Sequence, residues 1–172
     1  FGRSSCPNII GSCVFLASEK ILRKNQGPRN KPNEITILYF MEYSVKASSF
    51  SKDQAAINIK TSAINFGITP ETADDLPNPA ELFLGSFSAC ILKNVERFSA
   101  LMNFEYSNAE ITVKATRLEK PPRMDEIYYE LHIYSQDENV NLSLLKKNIE
   151  KFGTIFNTVK LSCTIIGDIK LI

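Results

Sequence analysis

An α+β fold is the prediction, and three features of the chain make it. Apolar side chains alternate with polar ones at period two in several segments after Met41 and recur at helical spacing in two others. The order is strand, strand, strand, helix, strand, strand, helix, strand. Hairpin connections join the strands without any repeated strand–helix–strand unit, the signature of antiparallel sheets with segregated helices. A length of 172 residues, with 44% hydrophobic and 23% charged side chains, suits one domain with a full core plus an appendage.

The appendage is residues 1–40, and the domain is residues 41–172. The first segment carries six basic against two acidic side chains, whereas the second carries 14 basic against 17 acidic. Within the appendage, RKNQGPRNKPNE (23–34) is polar and contains prolines, which resists a regular element. Three readings of it stay open. It is a disordered extension or linker, or translation starts at Met41 and the preceding residues are not native, or NIIGSCVFLAS (8–18) is the core of a signal segment. Against the last stand a single preceding charge and no clear small-residue cleavage site.

From Met41 onward the elements follow in turn. Tyr43, Val45 and Ala47, then Ala55, Ile57 and Ile59, read as a hairpin linked through SSFSKDQ, with a short third strand at 62–66. After the polar loop ITPETADDLP (68–77), Asn78 is an N-cap, Pro79 suits the first helical position, and Glu81 can reach back in a capping box. Only Gly85, Ser86 and Ser88 interrupt the apolar run between Leu82 and Leu92, so the helix is expected to be central and buried nearly all round. Ile111, Val113 and Ala115, then Ile127, Tyr129, Leu131 and Ile133, mark two longer strands joined through EKPPRMD. Leu145, Ile149 and Phe152 mark a second helix from about residue 142, with Gly153 read as the glycine that ends it. LSCTIIGDIKLI closes the chain as a strand that contains Cys163.

Composition removes most function classes. A formal charge of +1, with no Lys/Arg run longer than two, leaves no basic footprint for nucleic acid. No apolar stretch reaches the roughly 20 residues of a membrane-spanning helix, so no membrane partner is expected. The cysteines at 6, 13, 90 and 163 have no CxxC spacing and one histidine, His132, to join them, which leaves a structural zinc site without ligands. They are also too few for a disulfide scaffold, and a reducing cytoplasm is the expected location. No Gly-rich phosphate loop is present, and no cofactor is expected. His132 is expected on the outer face of a strand beside Tyr128 and Tyr134.

Cys90 is the residue that chemistry points to. On a helix its face holds Phe83, Ser86, Phe87, Lys93, Asn94 and Arg97, so the thiol sits where an apolar stripe gives way to polar residues. Side chains of a helix lean toward its N-terminus, which directs Lys93 back at the sulfur and favours a thiolate. Packing alone accounts equally well for a small buried cysteine in a core helix. Phe83, Phe87 and Phe98 form a stripe that is core or the wall of an apolar pocket.

NPAELFLGSFSAC (78–90) resembles the central-helix motif of the osmotically inducible protein C and organic hydroperoxide resistance (OsmC/Ohr) superfamily, which ends in a reactive cysteine. PPRMDEI (121–127) and EKFGTIFNTVK (150–160) are similar to two further family segments, in the family's order, over about residues 42 to 170. The resemblance implies an OsmC-like α+β fold and an intertwined homodimer with sites at the subunit interface. It also implies a peroxidatic cysteine, here Cys90, that reduces organic hydroperoxides through a sulfenic acid and is restored by a thiol reductant. Three features depart from the family. Gly153 stands where the resolving cysteine is expected, Ala80 stands at the glutamate after the motif proline, and no arginine lies between Arg29 and Arg97. Glu81 is nine residues before Cys90 and on the opposite helical face, so Arg123 is left as the candidate thiolate stabiliser. The alternative is a non-catalytic dimer of the same fold that binds a small apolar ligand or a partner. Cys6, Cys13 and Cys163 have no assigned role.

Overall fold

A computed structural model describes residues 18–19, 39–137 and 140–172. Ser18–Glu19 (β1) pairs antiparallel with Tyr39–Phe40 (β2). Cys6, Cys13 and the choice between linker, late start and signal segment lie outside the described residues.

Lys46–Ser49 (β3), Ala55–Ile59 (β4) and Ser62–Asn65 (β5) form an antiparallel meander. The first strand begins later than the alternation of Tyr43 and Val45 predicts, and its register gives the reason. Lys46 pairs with Asn58, so Val45 would face Ile59 and Tyr43 would face Thr61. The chain turns at Lys60, whose φ is 54°, to begin β5. Pairing therefore ends, and Tyr43 and Val45 are left exposed.

Pro79–Met102 (α1) follows, ended by Asn103 in the left-handed conformation at φ 56°. Phe87, Ile91, Asn94, Val95, Phe98 and Ser99 are its buried residues, while Gly85, Ser86, Ala89, Lys93 and Ala100 are exposed. The expectation of burial nearly all round is corrected to burial of one face, because among the described residues no element covers the other.

Asn108–Glu119 (β6) and Pro122–Tyr134 (β7) form a long hairpin, closed by a tight turn with a cis Lys120–Pro121 bond. The strands take up most of the segment predicted as a connection, and a bulge at Thr116/Arg117 absorbs one extra residue. Leu142–Phe152 (α2) and Thr154–Val159 (α3) then lead to Thr164–Leu171 (β8). The last strand lies parallel to β7, so the sheet β6–β7–β8 is mixed rather than purely antiparallel. Its central strand presents Ile127, Tyr129, Leu131 and Ile133 at 0% exposure to a core shared with Phe87, Ile91 and Val95 of α1 and Leu145 and Ile149 of α2.

Gly167 of β8 has a steric reason. A Cβ there would lie 2.0 Å from two atoms of the Tyr129 ring, so the ring lies directly over bare backbone. Gly153 has one too, and it differs from the one predicted. Its backbone is extended, at φ −73° and ψ 113°, so it is not a left-handed cap; it is the shared hinge of α2 and α3. The six-residue α3 is too short for a periodic pattern to reveal it.

Candidate functional site around Cys90

The helix that carries Cys90 starts as its sequence dictates. Asn78 Oδ1 accepts from the Ala80 and Glu81 amides at 2.8 and 3.0 Å, and Glu81 Oε2 accepts from the Asn78 amide at 2.8 Å. Such a reciprocal cap is worth about 1 kcal/mol and fixes where each later residue faces. Cys90 falls at the margin between the buried and exposed faces and is half-buried.

Two groups meet its sulfur. Asn94, one turn on and 8% exposed, donates from Nδ2 to the Cys90 carbonyl at 2.9 Å and lies 3.9 Å from Sγ. Across from them is Gly153, buried, where an added Cβ would come within 3.4 Å of Sγ, 2.9 Å of the Phe156 Cβ and 3.0 Å of the Ile149 carbonyl. A side chain at 153 would thus collide with Phe156 and the Ile149 carbonyl while only touching the thiol, and glycine leaves the sulfur against bare backbone. Behind it stand Phe87 and Phe156 with ring centroids 5.7 Å apart, and the Tyr129 ring edge-on to Phe156 at 6.5 Å. Burial, and then the Glu150 carboxylate that its hydroxyl reaches at 3.3 Å, hold the Tyr129 phenol above its ordinary range. It is a packing residue with a tethered hydroxyl rather than an acid–base group at neutral pH.

The other residues singled out by sequence fall elsewhere. Lys93 is exposed, and Asn94 supplies the polar contact to the thiol from this helix. Arg123 pairs with Asp125 at 2.6 Å and lines a cleft of about 300 Å³ with Ala80, Leu84 and Met124 at the N-terminal end of α1. Leu84 precedes Cys90 by six residues, roughly 9 Å along the axis, so that cleft is separate from the thiol. Cys163 precedes β8 instead of lying inside it, and its Sγ donates to the Met124 carbonyl at 3.3 Å. Phe87 and Phe98 are core, whereas Phe83 is partly exposed. His132 lies on the outer face of the sheet with Nε2 2.7 Å from Glu130, away from Cys90's helix. Asn94 went unassigned by sequence; a polar residue four positions after Cys90 on the same face was the available signal.

This arrangement can hold a half-buried nucleophilic sulfur beside an aromatic cluster, with an amide donor next to it and the backbone of Gly153 packed against it. Thiolate chemistry needs access to the sulfur as well as the anion.

Comparison with known proteins agrees with this architecture. A family profile described as OsmC-like protein matches residues 72–166, which include α1, β6, β7 and both later helices. No curated protein matches the sequence. Among solved structures, an OsmC-like protein from Mycoplasma pneumoniae superposes with a TM-score of 0.69 at 14% identity, covering 77% of this chain and 98% of that one. An organic hydroperoxide resistance protein OsmC from Legionella pneumophila gives 0.57 at 12% identity, with 76% and 99% covered. The organic hydroperoxide resistance protein OhrB of Bacillus subtilis gives 0.54 at 16% identity, with 76% and 98% covered. These likenesses carry the fold, and the profile match over more than half the chain carries the family: this protein belongs to the OsmC-like proteins.

Proposed function

We propose that Cys90 is the peroxidatic thiol of a single-cysteine reductase of organic hydroperoxides, working in a homodimer built on residues 41–172 in a reducing cytoplasm. The observation that carries this reading is the half-buried Cys90 sulfur at the margin of the buried face of α1, with the Asn94 amide 3.9 Å away and the backbone of Gly153 against it. The thiolate attacks the outer peroxide oxygen, the O–O bond breaks, and the alkoxide leaves and takes a proton. Sulfur is oxidised to the sulfenic acid while the peroxide is reduced to an alcohol. Support for the dimer comes from apolar groups that are exposed among the described residues, namely Tyr43, Val45 and Phe50 around the meander and the small-residue face of α1. Arg123, held by Asp125 away from the thiol, favours instead the reading of a non-catalytic binding dimer.

One experiment separates the two. After a brief dose of cumene hydroperoxide, mass spectrometry should find a single added oxygen on the Cys90 peptide, absent in Cys90→Ser and removed by dithiol. An unmodified Cys90 would leave the binding dimer as the function.

A further inference from the structure

Beside the thiol site lies a cluster that the peroxide step does not use. Phe152 ends α2 next to the buried Gly153, yet its ring is 44% exposed. The ring leans on Phe98 at 5.6 Å, and two cations lie against it. The Arg97 guanidinium is 5.7 Å from its centroid and 5.4 Å from that of Phe98, and Lys151 Nζ is 5.1 Å from Phe152. Among the described residues neither cation has a carboxylate partner, whereas Arg117, Arg123, Lys146 and Lys170 all do. The carboxylates next to them in sequence are engaged: Glu96 by Tyr106, and Glu150 by Lys146 and Tyr129. Arg97 shares the face of Cys90 seven residues on, roughly 10 Å along the axis, and its guanidinium lies over the Phe98 and Phe152 rings.

An aromatic surface with two uncompensated positive charges, two helical turns from a reactive sulfur, fits the far end of an aliphatic chain that ends in a carboxylate. We propose that Phe152, Arg97 and Lys151 dock the anionic end of the small thiol that reduces oxidised Cys90; this rests on the peroxidase reading above. The incoming thiol approaches from the open side of the half-buried sulfur. Its thiolate attacks the Cys90 sulfur, an S–S bond forms, the S–O bond breaks, and hydroxide leaves and is protonated to water. A second thiolate attacks the reductant's sulfur in the mixed disulfide, releasing the small disulfide and the Cys90 thiolate.

Two measurements on the full chain test this, both read on the Cys90 peptide by mass spectrometry. The first needs no oxidation. Cys90 is labelled with a methanethiosulfonate bearing either a sulfonate or a trimethylammonium group, and the ratio of the two rates cancels the thiolate fraction. The native chain should favour the sulfonate, and Arg97→Gln/Lys151→Gln should lower the ratio about tenfold, the equivalent of roughly 1.4 kcal/mol. An unchanged ratio overturns the docking site whatever the peroxidase does. In the second, protein oxidised with neutral cumene hydroperoxide is reduced by 6-mercaptohexanoate or by 6-mercaptohexanol, which differ only in the terminal charge. The native chain should react faster with the carboxylate, and the double variant should lose that preference while keeping its rate with the alcohol. Equal native rates, or a preference that survives in the variant, overturn the proposal. Failure of Cys90 to oxidise while the labelling ratio still shifts overturns it through its premise, and so marks the peroxidase reading as the part that failed.

Discussion

The meander β3–β5 and the unit made of α1–α3 with β6–β8 are both written in period-two and helical alternation, yet they finish differently. In the C-terminal unit the inward residues of β7 are sealed by helices of the same chain. Around the meander, Tyr43, Val45 and Phe50 are 76%, 64% and 69% exposed, and among the described residues no helix and no strand of the sheet β6–β7–β8 packs on it. Alternation therefore reports that a face is built to be covered, without saying whether the cover comes from its own chain. The difference is one of closure, and it can be attacked from either side.

The largest effect is expected where closure is tightest. Gly167→Ala places a methyl group 2.0 Å from Tyr129 ring atoms, and that ring is hemmed in by Phe87 at 6.2 Å and Phe156 at 6.5 Å. Overpacking of a full core costs about 1–3 kcal/mol, and a backbone neighbour on a sheet leaves little room to yield, so about 3 kcal/mol is expected. Thermal unfolding of the variant should fall by on the order of 10 °C. A melting temperature within 2 °C of native, on this same scale, would mean that Tyr129 has another place to go and that the core is looser than its burial implies.

On the open side the expected effect is smaller and depends on a second copy. Val45→Lys on a surface that stays exposed costs a few tenths of a kcal/mol. If a partner covers part of that surface, a lysine in place of valine forfeits about 1 kcal/mol of apolar burial in each copy, about 2 kcal/mol per dimer. The dimer dissociation constant should then rise roughly 30-fold. Sedimentation across a micromolar dilution series measures this directly. A native chain that sediments as a monomer throughout would remove the partner from the comparison and leave the meander open by design.

Much of this was legible in the sequence because local chemistry settled it. Asn78, Pro79 and Glu81 form the expected cap, and the alternation of Ile127 to Ile133 marks the buried face of β7. What sequence missed depends on contacts between distant segments. The late start of β3 follows from a turn at Lys60, the parallel placing of β8 follows from a crossover through α2 and α3, and Gly153 is glycine because Phe156 and the Ile149 carbonyl leave no room for a Cβ. Around Cys90, helical spacing placed Asn94 on its face without giving it a role, and Asn94 contacts the thiol, while Arg123 is bound to Asp125 beside another cleft.

The smallest effect is expected on the outer face of the C-terminal sheet, which the chain closes with charge rather than apolar cover. Glu130 receives hydrogen bonds from Lys170 at 2.7 Å and pairs with His132 at 2.7 Å. The Lys170 bond, and then that of His132, hold the Glu130 carboxyl below the usual carboxylate range, and Glu130 in turn holds Lys170 above the ordinary lysine range. These two shifts describe one interaction and count once. A depressed carboxylate contributes stability above its unfolded value that is lost as pH falls through the folded one, and a raised lysine contributes stability that is lost as pH rises through its folded value. Because the groups are exposed, solvent screens them and Glu130→Gln should lower the melting temperature by only about 1 °C near neutral pH. That gap should close on acidification as native Glu130 becomes protonated, and it should shrink in high salt. Unfolding curves of native and variant from pH 3 to 8 are the measurement. A gap that widens toward acid would show that this face is held by packing of Tyr128 and Ile166 instead, and that both regions of the molecule rest on apolar contact alone.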